Sequence, residues 1–413
     1  MHKDTRRVLI ATAGLVCFAS AARAQVGGAG RGRTVPVVVA IPRMADSATP
    51  ASVRTLLSVI AADSMEGRAV WSKGSDRAAK YIAEQMRKIG LAPAGDSGYF
   101  QKIPGASQAN GRVVRLPSFA DFDTVPAERR RIAVNVVGIL AGQRPSSDTS
   151  SRPDSVVLVD AHYDHIGIGR PVNGDSIFNG ADDDASGTVA VLEIARIMKK
   201  WPAPSRSVVF LATTGEESGL VGTRWYLANP VRPLATMAAN LEIEMIGRPD
   251  TIAVGRGRAW LTGYERSTMG ENFQRSGLPI IADMRPSQSF FTRSDNIAFA
   301  QAGIPAHTLS SFNLHTDYHG VGDDVSKVDF QHMAALINTG ARAVWVLTEG
   351  PAPIWIRGSR PCPAIPRPPG VGGGRGGQGG QSVTQLSPAQ QDSARAVADS
   401  ARIAAQFPQG CPR

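Results

Sequence analysis

Histidine and carboxylate side chains recur in this chain directly after short apolar runs. Residues 156–159 lead into Asp160-Ala161-His162-Tyr163-Asp164-His165, which places several metal-ligand side chains where a predicted strand ends. His162 can bind a metal ion through one ring nitrogen, and Asp164 would lie on the same side of an extended chain and steady the imidazole. A single His-x-Asp also occurs by chance in surface loops, so this motif alone does not identify a metal site.

A second group of carboxylates lies in a loop of small residues. Residues 179–181 are followed by Asp182, Asp183 and Asp184, and then by a helical pattern. The N-terminus of a helix attracts carboxylates, but one acid is enough to cap it, and Asp184 or Ser186 would serve. Three consecutive acids therefore favour cation binding by at least one of them.

Two adjacent glutamates, Glu216 and Glu217, follow another apolar run at residues 208–213. One glutamate can bind a metal ion while its neighbour accepts a proton. Hydrolysis uses this division, because metal-activated water must lose a proton to a base that then protonates the leaving amine. The competing interpretation is two solvated glutamates, and their position at the end of a predicted strand weakens it.

A further pair of acids interrupts an apolar strand pattern. Glu242 and Glu244 alternate with Leu241, Ile243 and Met245, so both carboxylates should share one face of the strand. Carboxylates within an otherwise apolar strand need a cation or a basic partner. This segment therefore predicts another source of metal ligands.

The last candidate ligands are two histidines, His315 and His319, with Asp323 shortly after them. Their spacing resembles a zinc pair on one face of a helix, but Gly320 and Gly322 favour a loop. We therefore expect only one of the two histidines to be a primary ligand. The residues by themselves do not choose between them.

The elements that must position these side chains alternate between strand and helix patterns. Helical spacing is found around residues 56–60, at 78–89 with Gly90 as a terminator, after Ser186 and after Gly219. Strands are predicted for the short apolar runs at residues 134–140, 156–161, 208–213 and 241–246. Strands that alternate with helices predict an α/β fold, in which strand ends face the binding crevice.

The two ends of the chain depart from this pattern. Residues 1–24 have a basic start, an apolar run and Ala22-Arg23-Ala24, which predicts a signal peptide cleaved near Ala24 and export to the periplasm or the medium. We expect a flexible arm at 25–50, the domain that carries the candidate site at 51–350, and a Pro- and Gly-rich tail at 351–413. Two tail cysteines, Cys362 and Cys411, are plausible disulfide partners in an oxidising compartment.

Charge and hydropathy exclude some partners. The 413 residues carry a formal net charge of +10, and residues 1–24 contribute four basic residues and one acidic, so removing them leaves 10 − 3 = +7. Lys and Arg are spread along the chain without a motif that reads nucleic acid, so we expect no nucleic-acid partner. No later apolar segment reaches the roughly 20 residues that span a bilayer. We therefore expect no stable membrane insertion, and the oligomeric state is open.

Taken in order, these motifs resemble the M28 family of zinc aminopeptidases and carboxypeptidases. The resemblance covers residues 56–348 and implies the fold of the zinc exopeptidases, a mixed central β-sheet flanked by helices. It rests on the His-x-Asp at His162, the Gly-Ala-Asp-Asp loop, the Glu216-Glu217 pair, the acidic strand and Tyr318-His319, together with Glu66-Gly67-Arg68, Gly90-Leu91, Arg293-Ser294-Asp295 and Ala302-Gly303-Ile304-Pro305.

The resemblance implies a site with two zinc ions per chain. Its implied ligands are Asp182 as the bridge, His162 and Glu244 on one ion, and Glu217 and His319 on the other. Glu216 would be the general base beside a hydroxide held between the ions.

The resemblance also implies supporting roles and shows one departure. Asp164 would orient His162, and Asp323 would lie behind the His319 loop. Asp183 would be a supporting residue behind the ligands, and its peptide bond with Asp182 would be strained. The family usually carries Asp at the position of Glu244, although glutamate is also a zinc ligand.

The implied activity is hydrolysis of peptide bonds with a peptide as substrate, and removal of N-terminal residues is the expected form. The alternatives are a carboxypeptidase, a glutaminyl-cyclase-like enzyme with one zinc ion and no attacking water, and a catalytically silent binding ectodomain. Competent residues occupy every expected ligand position, which favours two metal ions and hydrolysis over the last two.

Overall fold

A ten-stranded mixed β-sheet runs through the middle of the described part of the protein. The computed structural model describes residues 38–42, 47–143, 154–251 and 255–362. The strands in chain order are β1 (Ala92–Pro93), β2 (Phe100–Ser107), β3 (Val113–Arg115), β4 (Arg130–Leu140), β5 (Val156–His162), β6 (Gly167–Val172), β7 (Asp175–Phe178), β8 (Ser207–Thr213), β9 (Met237–Ile243), β10 (Ala259–Leu261), β11 (Ile280–Ala282) and β12 (Ala306–Ser310). Strands β6 and β7 pair with each other outside the main sheet.

The strand order explains where functional side chains can gather. Across the sheet the order is β11-β10-β12-β9-β5-β8-β4-β2-β3, and β1 pairs with β4. The four central strands β12, β9, β5 and β8 are mutually parallel, whereas β4, β2 and β3 continue the sheet in antiparallel pairs. Because parallel strands end at the same edge, the loops after these four strands meet there.

Helices cover both faces of the sheet. They are α1 (Pro50–Ile60), α2 (Lys73–Ile89), α3 (Phe119–Thr124), α4 (Ala185–Lys200), α5 (Val221–Ala228), α6 (Met269–Arg275), α7 (Asn296–Gln301) and α8 (Phe330–Glu349). Helices α1, α2, α4 and α8 pack together on one face, and α5 and α7 pack on the other. Alternate residues of β5 face these two layers, Val157 and Val159 on one side and Val156 and Leu158 on the other. The predicted α/β fold with a mixed central sheet flanked by helices is confirmed.

The ends of two helices show how local sequence sets the boundaries. Ser72 caps α2 by accepting a hydrogen bond from the Ser75 amide at 3.1 Å, and Gly90 ends the helix with a left-handed φ of 81°. The predicted terminator Gly90 is therefore confirmed. Asp184 caps α4 by accepting from the Gly187 amide at 2.8 Å.

The predicted strands are present, but one ends earlier than expected. The runs at 134–140, 156–161 and 208–213 lie in β4, β5 and β8. The run at 241–246 is a strand only as far as Ile243, where β9 ends. Glu244 is therefore the first residue of the loop at the functional edge of the sheet, rather than a member of the strand.

The N-terminal boundary of the folded region lies earlier than predicted. Residues 25–50 were expected to form a flexible arm, yet the Ala40 carbonyl accepts a hydrogen bond from Trp345 Nε1 at 3.1 Å. The Ala48 amide donates to Asn338 Oδ1 at 2.8 Å. The end of the predicted arm thus packs against α8.

The C-terminal boundary lies later than predicted. Residues 351–413 were expected to form a mobile tail, yet the Trp355 indole donates to the Gly303 carbonyl at 3.0 Å. The amide of Ile354 donates to Thr268 Oγ1 at 3.1 Å, and the amide of Thr268 donates to the Ile354 carbonyl at 3.0 Å. The described start of the tail is therefore part of the folded body.

The predicted signal peptide at 1–24 and most of the predicted tail lie outside the described residues. Within the described ranges, no helix is both long and apolar enough to cross a membrane.

The predicted tail contains two cysteines, and one of them, Cys362, is disulfide-bonded.

Candidate metal centre

The predicted ligands meet at the carboxyl edge of the parallel strands. His162 ends β5, Glu217 follows β8, and Glu244 follows β9. His319 comes from the long loop between β12 and α8, and Asp183 from the loop that opens α4. Five elements distant in sequence therefore contribute to one buried cluster, as expected from the shared direction of the central strands.

The first half of the cluster consists of His162, Asp183 and Glu244. His162 Nε2 is 3.3 Å from Asp183 Oδ1 and 4.0 Å from Glu244 Oε1. One ligand atom from each of these residues lies within 4.8 Å of the other two. The three side chains can therefore point at one common ion.

The second half shares Asp183 and adds Glu217, His319 and His165. His319 Nε2 is 3.1 Å from both Asp183 Oδ2 and Glu217 Oε1. His165 Nδ1 is 3.1 Å from Glu217 Oε1 and 3.8 Å from Asp183 Oδ2. The two oxygens of Asp183 thus face different halves, which is the arrangement of a bridging carboxylate.

Asp182, the expected bridge, does not face the two halves, and its neighbour Asp183 lies between them. Asp182 Oδ1 accepts a hydrogen bond from the Gly247 amide at 2.7 Å, and Asp182 Oδ2 lies 3.1 Å from His315 Nε2. Asp183, which was assigned a supporting role, faces the cluster. The cis peptide bond lies between Asp183 and Asp184, one bond later than the expected strained peptide.

The loop at Asp182–Asp184 is fastened to the segment that carries Glu244. The Met245 amide donates to Asp184 Oδ1 at 3.0 Å, the Ile246 amide to Ser186 Oγ at 3.0 Å, and the Gly247 amide to Asp182 Oδ1 at 2.7 Å. Three consecutive amides therefore fix the Glu244 segment against the Asp183 loop. The close approach requires Gly187, since a Cβ there would collide with the Ile243 carbonyl oxygen.

Asp164 supports the cluster in a different way from the expected one. The atom that contacts His162 Nδ1 at 3.1 Å is the main-chain oxygen of Asp164, while the nearest carboxylate contact, Oδ1, is 3.7 Å away. That same carboxylate oxygen accepts a hydrogen bond from the Glu216 amide at 3.1 Å. Asp164 therefore links the His162 strand end to the glutamate pair.

Asp323 lies behind the loop at Asp182–Asp184, called the aspartate loop below. Its carboxylate accepts hydrogen bonds from the amides of Asp182, at 3.0 and 3.1 Å, and of Asp183, at 3.0 Å. Arg248 Nη2 contacts the same carboxylate at 3.2 Å. Burial raises the pKa of Asp323 to about 6. Asp323 thus fixes the main chain that presents Asp183.

Arg68 ties together the loops on the other side of the cluster. Its side chain is fully buried and donates to the carbonyls of Tyr163 (2.6 Å), Asn179 (2.6 Å), Gly180 (2.9 Å) and Ile60 (2.9 Å). Burial lowers the pKa of Arg68 to about 10, so the group stays charged at neutral pH. The motif Glu66-Gly67-Arg68 was visible in the sequence, but its contacts were not.

The pKa values of the residues in the cluster depend strongly on one another. Burial raises the pKa of Glu216 and of Glu244 well above the usual range, and repulsion from neighbouring carboxylates adds to the shift. Burial alone would lower the pKa of His319, but Glu217 and Asp183 raise it to about 10. Conversely, His319 outweighs burial and lowers the pKa of Glu217 to about 2. A carboxylate in this site is therefore stabilised only beside a positive charge.

The residues present fit a metal ion on each side of Asp183. Ligands about 2.1 Å from a tetrahedral zinc ion lie about 3.4 Å from one another. The observed separations of 3.1–4.0 Å match that spacing. His162 Nε2, Asp183 Oδ2 and Glu217 Oε1 are buried and form no hydrogen bond of good geometry with any described residue, and such orphaned atoms call for a partner.

A second buried carboxylate group lies deeper in the sheet, at Asp160, Glu242 and Asp295. Glu242 was expected to need a cation, but hydrogen bonds already satisfy it. It accepts from the amides of Asp295 and Asn296 at 3.0 Å and from the hydroxyls of Thr308 and Ser294. Glu242 therefore organises the segment that precedes α7 instead of offering a metal ligand.

His165 is the one cluster residue that was not predicted as a ligand or supporting residue. It immediately follows the His162-Tyr163-Asp164 segment and is buried. Its Nδ1 lies 3.1 Å from Glu217 Oε1, but it forms no hydrogen bond of good geometry with any described residue. The sequence did show this second histidine, three residues after His162. The interpretation of the strand end considered only His162 and Asp164 and therefore did not include it.

Comparison with known proteins identifies the family. Residues 135–344 match the model of peptidase family M28. A probable zinc metalloprotease of Pyrenophora teres f. teres (strain 0-1) is 30% identical over 196 residues, which cover 46% of this chain and 40% of the relative. A probable zinc metalloprotease of Pyrenophora tritici-repentis (strain Pt-1C-BFP) is 25% identical over 324 residues, covering 68% of this chain and 62% of the relative.

Solved structures with the same fold were also found. The aminopeptidase from Aneurinibacillus sp. strain AM-1 has a TM-score of 0.50 at 14% identity, covering 74% of this chain and 95% of its own. A zinc aminopeptidase from Bacillus subtilis has a TM-score of 0.52 at 14% identity, covering 73% and 95% respectively. At this identity the likeness shows a common architecture.

We predict that replacing Arg68 by Met destabilises the protein by about 3 kcal/mol, because four buried carbonyls lose a charged donor. The measurement is the free energy of unfolding in urea. Arg87→Met is the matched control and should change stability little, since Arg87 is an exposed arginine of α2 whose side chain pairs with Glu84 alone among the described residues. Equal losses in the two variants would contradict the role given to Arg68.

Proposed function

This chain belongs to peptidase family M28, and we propose that it is a two-zinc peptidase that removes residues from the amino ends of peptides. The single observation that carries the proposal is the position of Asp183, whose two oxygens face two separate groups of buried ligand atoms. The chain spans 40% and 62% of the length of the two zinc metalloprotease relatives, so their names support only the chemistry of the shared region.

The proposed ligand sets follow from the distances. Asp183 would bridge, His162 and Glu244 would complete one site, and Glu217 and His319 would complete the other. His319 is preferred to His165 because it lies 3.1 Å from both carboxylates of the second half, whereas His165 is that close only to Glu217. His165 would then contact Glu217 as a supporting residue.

Bound zinc would supply Lewis-acid activation of water and of the peptide carbonyl. The protein's own contribution at that step would be Glu216, whose carboxylate accepts no hydrogen bond from any described residue. Its main chain is fixed by Asp164, and burial raises its pKa, so the group can hold a proton between taking it from water and giving it to the leaving amine. The side chain is partly exposed, which leaves it accessible to substrate.

The proposed preference for amino ends is drawn from the solved proteins with this fold. The solved proteins with this fold that we describe are named aminopeptidases, and the same fold and ligand set would also serve a carboxypeptidase. A cyclase-like enzyme or a silent ectodomain would not need a complete pair of ligand groups around Asp183.

The proposed activity is tested by cleavage of peptides with free and with acetylated amino ends, with and without a metal chelator. We expect chelator-sensitive release of the first residue from the free-amino peptides alone. Cleavage of the acetylated peptides would move the proposal to a carboxypeptidase or an endopeptidase. The absence of cleavage in zinc-loaded protein would overturn it.

We predict that Asp183→Asn reduces bound zinc from about two ions per chain to less than one, because a carboxamide is a poor bridge. Metal content after dialysis, measured by mass spectrometry, is the readout. Asp182→Asn is the matched control in the adjacent position and should retain near-normal zinc, since Asp182 contacts Gly247 and His315 instead. If Asp182→Asn loses the metal and Asp183→Asn keeps it, the bridge is misassigned.

Replacing Glu216 by Gln should leave the zinc content nearly unchanged and lower kcat by at least about 100-fold, the typical contribution of general acid–base catalysis. The reason is that a carboxamide cannot take the proton, while the ligand atoms of the cluster are untouched. Metal content and kcat are measured on the same preparation. Zinc loss in this variant would make Glu216 a ligand rather than a base.

A further inference from the structure

A pocket opens beside Glu244, next to the candidate metal centre. Its walls include the aromatic side chains of Trp260, Phe290, Phe312 and Tyr318. Trp260 and Phe290 stack with ring centroids 5.1 Å apart, and Phe312 contacts Phe290 edge-on at 5.8 Å. These rings pack against one another, so the pocket has a preformed shape.

One arginine, Arg293, lines this aromatic pocket. Its guanidinium carbon lies 5.2 Å from the centroid of Phe290 and 6.0 Å from that of Tyr318. Cation–π contacts of this kind hold a guanidinium in place without neutralising it. No residue in the described ranges forms a hydrogen bond or an ion pair with the Arg293 side chain. A positioned cation without a counter-ion therefore faces the pocket.

The other polar groups of the pocket also leave it short of acceptors. Trp260 is buried, and its indole N–H has no acceptor among the described residues. The hydroxyls of Thr308 and Ser310 already donate hydrogen bonds, to Glu242 and to the Met245 carbonyl. Two pure donors on the lining, the Arg293 guanidinium and the Trp260 indole N–H, are thus without an acceptor among the described residues, which fits a ligand that brings acceptors.

The only carboxylate on the pocket lining among these residues is Glu244. Its Oε1 is directed toward His162 Nε2, 4.0 Å away, and it is not within ion-pair distance of Arg293. Once Glu244 serves the metal centre, the charge of Arg293 stays uncompensated. A negative group delivered by a ligand would satisfy both the charge and the geometry of the fork-shaped guanidinium.

We propose that this pocket recognises a carboxylate of the substrate, held by the guanidinium of Arg293 between aromatic walls. The inference rests on the proposed peptidase function and specifies its substrate class. Two sources share this chemistry, an acidic side chain on the residue that enters the pocket and the free carboxyl end of a short peptide. The apolar walls would contact the methylene groups that precede the carboxylate.

The first test is direct binding to the zinc-loaded full-length protein by calorimetry. The probes are two acid and amide pairs, glutamic acid α-amide against glutaminamide, and acetyl-leucine against acetyl-leucinamide. In each pair the charge differs at one position only. We expect the acid to bind about 10-fold or more tightly than the amide in one pair, as expected for a charge-assisted hydrogen bond, and that pair identifies the source of the carboxylate.

The variants Arg293→Met and Arg293→Lys separate recognition from folding. The Met variant should bring the acid-to-amide ratio close to 1, and the Lys variant should give an intermediate ratio, because lysine keeps the charge but not the fork. Arg266→Met is the matched control. Arg266 also lies over an aromatic ring, Phe291 at 4.6 Å, but does not line the pocket, so its ratio should match wild type.

Hydrolysis of glutamyl and glutaminyl p-nitroanilides gives an independent readout when the side chain is the source. Arg293→Met should then raise KM for the glutamyl substrate about 10-fold or more. The kcat for that substrate, and both KM and kcat for the glutaminyl substrate, should change much less. Two results would overturn the assignment of carboxylate recognition to Arg293. One is equal binding of acid and amide by the wild-type protein in both pairs, and the other is an unchanged acid-to-amide affinity ratio in Arg293→Met. Acid preference without any hydrolysis would instead overturn the peptidase function, and hydrolysis without acid preference would leave that function standing.

Discussion

The constraint on which the structure depends is the mutual repulsion of carboxylates that are held together away from water. Asp183, Glu216, Glu217 and Glu244 converge at one edge of the sheet, and burial raises the pKa of two of them. Bringing unpaired charges into such a site is costly unless a cation or a hydrogen-bond donor accompanies them. Much of the surrounding structure can be understood as a means of holding the acids at metal-ligand spacing in spite of this cost.

The protein meets the constraint with hydrogen bonds that fix the main chain rather than the ligand atoms. Arg68 binds the carbonyls of the loops on one side, and Asp323 binds the amides of the aspartate loop on the other. Three consecutive amides after Glu244 are tied to the same loop. His162 Nε2, Asp183 Oδ2 and Glu217 Oε1 are thereby left without a hydrogen bond of good geometry to any described residue, as a preorganised metal site would require.

The general plan of the fold and the location of the site could be predicted from the sequence, because both depend on periodicity. Apolar runs of strand length that lead into His162 and Glu217 necessarily bring those residues to one edge of a parallel sheet. The choice between Asp182 and Asp183 could not be made in this way, since neither helix nor strand periodicity says which of three consecutive loop residues faces inward. The resemblance favoured Asp182, and the hydrogen bonds of the loop place Asp183 there instead.

Other features could not be derived from the periodicity of the sequence, for similar physical reasons. The choice of His319 over His315 depends on the path of an irregular loop in which His319 itself has a left-handed φ of 55°. The unpaired charge of Arg293 reflects the lack of an acid within ion-pair distance among the described residues, a three-dimensional property that composition does not encode. The packing of the ends at Ala40 and Trp355 could not be predicted because it depends on hydrogen bonds between residues far apart in the sequence.

The most direct test of this account is the position of bound metal in crystals of the zinc-loaded protein, located by anomalous scattering at the zinc absorption edge. The account predicts two peaks, roughly 3.5 Å apart as in other two-metal sites, one on either side of the Asp183 carboxylate. A single peak, or peaks that contact Asp182 and leave Asp183 without metal, would contradict it.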